Sequence, residues 1–103
     1  MDKKAIEMMY ADKKAYVERD LAAALRPLRD FYKIEYARDA VQGDEYIKIT
    51  EAIGSVHFVN VTGNSEEAIL KEVCRMALEA NPLGLIRTKD RQRQVNALFV
   101  QFV

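Results

Sequence analysis

The feature that most constrains this chain is a change of hydrophobic period around Pro27. Before it, 26 residues contain neither Gly nor Pro and are rich in Ala, Lys, Glu, Leu and Met, all good helix formers. Ile6, Met9, Tyr10, Val17, Leu21, Ala24, Leu25 and Leu28 recur at spacings of three, four and seven, which gathers them into one apolar stripe. The spacing predicts a helix that Pro27 ends or kinks near Ala24 to Arg26. In one piece that helix is roughly 35 Å long at 1.5 Å per residue, longer than a domain of this size is wide. It therefore either breaks near Asp12, which can cap a second segment, or projects its first turns toward a partner.

After Phe31 the period becomes two. Tyr32, Ile34 and Tyr36 alternate with Lys33 and Glu35, and Gln42-Gly43-Asp44 supplies turn chemistry. Ile47 and Ile49 then alternate with Tyr46, Lys48 and Thr50, and after Gly54 the run SVHFVNV is rich in β-branched and aromatic residues. Connections this short predict an antiparallel meander. Val59 and Val61 are expected to face the helices with Ile47 and Ile49, which leaves Tyr46, Val56 and Phe58 on the opposite face. Asn64 or Ser65 caps the next helix, Glu66 and Glu67 complement its positive end, and Asn81-Pro82-Leu83-Gly84 ends it. The tail GLIRTKDRQRQVNALFVQFV is ambiguous. Val95, Leu98, Phe99 and Phe102 fit helical spacing, while Ala97, Phe99 and Val103 also fit a strand. Thr88 as a cap favours a helix from about residue 89.

These elements give an α+β fold in the order helix, three-stranded antiparallel sheet, helix (α-β-β-β-α), with an additional C-terminal helix or strand. The 103 residues suffice for one domain: an α-β-β-β-α core over 14–80, a helical extension over 1–13, and a basic segment with an apolar tail over 84–103. No run approaches the roughly 18 apolar residues of a membrane span, and MDKKAIEMMYADKK has no secretory character, so a cytoplasmic protein is expected. The lone Cys74 reads as a small buried hydrophobe.

Sixteen basic and 16 acidic residues leave no net charge, so any polyanion contact must be local. Residues 1–34 carry eight positive and six negative side chains, 35–83 four and nine, and 84–103 four and one. Arg87, Lys89, Arg91 and Arg93 in the last segment form the candidate nucleic-acid contact; on a helix, 87 and 91 share one face and 89 and 93 its neighbour.

The phrase VNVTGNSEEAI has the strand, glycine and helix start of a phosphate-cradling loop, yet it holds one glycine, no lysine before Lys71, and two glutamates in the first turn. It reads as a capped helix junction. His57 stands alone between Val56 and Phe58, and Asp44-Glu45 reads as a solvated turn, so neither a metal set nor an acid–base pair is discernible. No enzyme, cofactor, metal or small-molecule substrate is expected.

The element order over roughly 14–80 is similar to that of the double-stranded-RNA-binding domain. Where that family carries a lysine-rich second-helix start and a Gly-Pro-x-His loop, this chain reads GNSEEAI and VQGDEY, so no functional residue transfers. The phrase VNVTGNSEEAILKEV resembles small uncharacterised bacterial prophage and mobile-element proteins, which implies a small bacterial accessory protein without an assigned activity. The leading expectation is a non-enzymatic protein-interaction module. It would self-associate, as a dimer by preference, through Tyr46, Val56, Phe58, Val95, Leu98, Phe99 and Phe102, the tail covering the sheet's second face in its own subunit or in a neighbour. The alternative is a nucleic-acid-binding accessory protein using 87–93.

Overall fold

A computed structural model describes residues 2–28, 30–78 and 82–100. The chain opens with a continuous helical rod: α1 (Lys3–Ala15), a π-helical segment (Tyr16–Leu21) and α2 (Ala22–Leu25). Asp2 caps it by accepting from the Lys4 N–H at 3.1 Å. The rod does not break at Asp12, whose carbonyl accepts from the Tyr16 N–H. Nor is the apolar stripe buried along its length. Val17, Leu21 and Leu25 are buried, while Met9, Ala24 and Leu28 are exposed and α1 buries no residue. In an α-helix, residues four apart drift by about 40° per step. The wider turn of the π segment works against that drift and keeps Val17, Leu21 and Leu25 over the sheet.

Strands β1 (Phe31–Arg38), β2 (Glu45–Glu51) and β3 (Val56–Asn60) form an antiparallel meander in sequence order. Ile34 lies opposite Ile49 and Tyr36 opposite Ile47, and Ile47 lies opposite Val59, so these side chains share one face. A bulge between Phe31 and Lys33 ends the regular pairing of β1. Helix α3 (Glu66–Ala77) starts at Ser65, whose hydroxyl accepts from the Ala68 N–H at 3.2 Å, with Glu66 and Glu67 in its first turn. Its Ile69, Val73 and Met76 join Val17, Leu21 and Leu25 over Ile47, Ile49, Val59 and Val61 in the main core. Cys74 packs half-buried against that core.

Beyond α3 the chain returns along β3. The Asn60 N–H donates to the Gly84 carbonyl at 2.7 Å and the Ile86 N–H donates to the Phe58 carbonyl at 2.9 Å, around an antiparallel bridge of Val59 with Leu85. This closes the outer edge of β3. Gly84 is required by the approach, because a Cβ there would collide with the Asn60 carbonyl oxygen. The tail then forms a helix, α4 (Lys89–Asn96), and a turn that crosses the sheet's second face. No helix among the described residues is long and apolar enough to cross a membrane.

Candidate anion-binding cleft

Three side chains seat α4 on the sheet. Val95 is buried against Tyr46 and Phe58, with Ile86, Leu98 and Phe99 around them. Phe58 and Phe99 meet with ring centroids 6.1 Å apart and planes tilted by 51°, a favourable aromatic geometry. Arg91 donates through Nη2 to the Tyr46 hydroxyl at 2.6 Å, and that hydroxyl donates to Asp44 Oδ2 at 3.2 Å. Burial pushes the Tyr46 phenol up, Arg91 opposes this, and Asp44 adds to it. Gln92 completes the anchorage by donating from Nε2 to the Ile86 carbonyl at 2.9 Å.

The residues expected at an interface are therefore brought together inside one chain. Tyr46, Phe58 and Val95 are buried, Leu98 and Phe99 are half-buried against them, and Val56 stays partly exposed at the rim. Of the two ways the tail was expected to cover the face, the structure adopts the one within its own subunit. Phe102 lies outside the described residues.

The four candidate cations separate. Lys89 and Arg93, one helical turn apart, face a cleft of about 390 Å³ together with Lys48 of β2, Gln92 and Asn96, over a floor of Val56 and Phe58. Arg91 turns to Tyr46 and Gln94 instead, and Arg87 lies outside the cleft lining. Among the described residues, no carboxylate lines the cleft. Asp90 stands 3.7 Å from Arg93, but both are well exposed, so the pair is heavily screened and leaves Arg93 available. Lys48 had no place among the candidate cations, although its alternation with Ile47 and Ile49 puts it on the same face as Tyr46.

The strand-to-helix turn does hold an anion, and it belongs to the protein. Gly63, at a φ of 74°, donates its N–H to Glu45 Oε2 at 2.8 Å. Glu45 Oε1 accepts from the Tyr36 hydroxyl at 2.6 Å and from Lys13 Nζ at 2.9 Å, and Thr62 Oγ1 accepts from the Glu45 N–H at 2.9 Å. Glu45 is 1% exposed, which corrects the reading of Asp44-Glu45 as a solvated turn. Burial pushes its carboxyl up, but the Tyr36 hydroxyl, the Lys13 ammonium and the Gly63 N–H outweigh it and hold it below the usual glutamate range. The same contact, with burial as the larger cause, drives the Tyr36 phenol well above its ordinary value. Every strong donor around Glu45 is thus engaged internally, and the network ties α1, β1, β2 and the Gly63 turn together.

His57 Nε2 lies 3.1 Å from Glu51 Oε2. Among the described residues, no group of three or more His, Cys, Asp or Glu side chains is placed to hold a metal ion. Comparison of the chain with protein-family models, curated proteins and solved structures finds no match.

Proposed function

We propose that this protein is a non-enzymatic interaction module that contacts the phosphate backbone of a nucleic acid through Lys48, Lys89 and Arg93. One observation carries the reading: three cations from two elements converge on one open cleft that, among the described residues, no carboxylate lines, in a chain whose charges cancel overall. Apolar walls at Val56 and Phe58 exclude water from one side of the cleft and strengthen its field there. Lys89, at the first position of α4, adds to the positive end of the helix dipole and does not offset it. The alternative occupant of this region, a second copy docking on Tyr46, Phe58 and Val95, would have to displace α4, because those side chains are already buried by it.

With three phosphate contacts, the affinity for single strands should fall with a log–log salt slope of about −2. Fluorescence anisotropy of a labelled oligonucleotide, titrated between about 20 and 200 mM salt, measures that slope. The triple variant Lys48→Ala, Lys89→Ala, Arg93→Ala should weaken binding at least about tenfold at the lowest salt, while Arg87→Ala leaves it within about twofold. Absence of binding at the lowest salt, or an unchanged affinity in the triple variant, would overturn the reading.

A further inference from the structure

We infer that the outer edge of β1 pairs antiparallel with β1 of a second copy, centred on Ile34, with Lys33 of each chain facing Glu35 of the other. The two edges of the sheet differ. The 84–86 segment closes the β3 edge by backbone bonding. On β1, the Tyr36 N–H donates outward to Glu18 Oε2 at 3.0 Å and the Tyr36 carbonyl accepts from Lys14 Nζ at 3.4 Å. Antiparallel alternation then directs the N–H and C=O of Ile34 outward as well. Among the described residues no bond reaches these two groups. Instead they face a groove of about 220 Å³ between the rod and the strand, lined by Glu18, Ala22, Arg26 and Phe31–Ile34, beside the 73% exposed Tyr32. The Lys14–Glu18 pair covers the edge at Tyr36 and leaves it open at Ile34.

An open strand edge is a template for another strand, and the charges select which one. In an antiparallel pair centred on Ile34, the two Ile34 residues exchange both hydrogen bonds, and the flanking positions are Lys33 against Glu35 and Glu35 against Lys33. The strand is therefore its own electrostatic complement. These flanking pairs are the closely spaced kind, in which opposite side chains interact most strongly. Lys33 and Glu35 already approach each other at 3.6 Å on one face of the strand, the Lys33 side chain 60% exposed and that of Glu35 21% exposed, so Lys33 is open and Glu35 is partly covered. Two hydrogen bonds and two charge pairs, bounded at each end by the Lys14–Glu18 cover, make a short contact and hence a weak, salt-sensitive dimer.

Sedimentation of the full chain at up to about 500 μM and low salt tests this, because mass action makes a weak dimer visible only at such concentrations. The unmodified chain should dimerise. Lys33→Glu and Glu35→Lys should each weaken the dimer at least about tenfold by placing like charges opposite one another. Mixing the two single variants should restore dimerisation as a heterodimer, and the double variant Lys33→Glu, Glu35→Lys should restore it in one chain. In the mixture each chain still lacks its internal Lys33–Glu35 pair, so only the cross-strand pairing can produce the rescue. A chain that stays monomeric throughout, single variants that dimerise unchanged, or a mixture without rescue would each overturn the inference.

Discussion

The sheet face that receives the rod and α3 buries Ile34, Tyr36, Ile47, Ile49, Val59 and Val61. The face that receives α4 buries Tyr46, Phe58 and Val95, with Ile86, Leu98 and Phe99 at their sides. Both faces arise from the same alternation along the same strands, yet one is a continuous core and the other a small apolar island held by polar clasps. The deep face fixes the fold. The shallow face has room for Lys48, Lys89 and Arg93 beside its island, and that is where the proposed anion contact lies. An uninterrupted apolar covering would have left no place for those cations.

Substitutions that break the two faces separately should show the difference. Ile49→Ala, in the fully buried centre of the deep face, should cost about 4 kcal/mol in urea unfolding and lower amide protection throughout the chain. Glu45→Gln should cost about 3 kcal/mol, because it leaves the Lys13 charge almost buried without its carboxylate partner. This variant also carries a pH signature. The Glu45 carboxyl is held below its ordinary value of 4.5, so its contribution is fully present above that pH and is lost as pH falls through the lower folded-state value. Urea midpoints measured from neutral pH downward should thus fall more steeply in the unmodified chain than in Glu45→Gln.

How much of this was legible in the sequence follows from how local each signal is. Period two placed Tyr46 and Phe58 opposite Ile47 and Ile49, and Ser65 with Glu66 and Glu67 marked the start of α3, because those signals lie within a few residues of one another. The burial of Glu45 was not legible, since its donors Lys13, Tyr36 and Gly63 lie 32, 9 and 18 residues away and meet only in the folded chain. VNVTGNSEEAI reads as a capped helix junction, and Ser65 does cap α3 there; that its Gly63 N–H also holds an anion, Glu45 of β2, was not legible. Likewise, helix phase already sets 87 and 91 apart from 89 and 93, but it does not reveal that the Tyr46 hydroxyl takes Arg91 while Lys89 and Arg93 face the cleft. Lys48 joins the cleft only through the packing of α4 on β3, which the mixed propensities of the tail did not determine.

On the shallow face the expected effects are smaller and local. Val95→Ala should cost about 2 kcal/mol, from the lost methyl burial and the gap left beside Tyr46 and Phe58. Its distinguishing readout is hydrogen exchange, with protection lost mainly over 84–96 while β2 keeps its own. Arg91→Ala should cost about 1 kcal/mol by removing the clasp on the Tyr46 hydroxyl. Because Arg91 does not line the cleft, oligonucleotide affinity should fall in that variant only as far as α4 detaches. Equal loss of protection on both faces in Val95→Ala would mean that the distinction between deep and shallow layers is wrong.

Helix α4 covers the sheet of its own chain and thereby builds the cleft. The most direct test of this covering is a pair of nuclear Overhauser measurements between the Phe58 and Phe99 rings and between Val95 methyls and the Tyr46 ring. Labelled protein diluted into an excess of unlabelled protein should show both contacts, and an isotope-filtered mixture that reports only contacts between chains should show neither. Contacts that appear only in the filtered experiment would place α4 on a neighbouring copy and contradict the account.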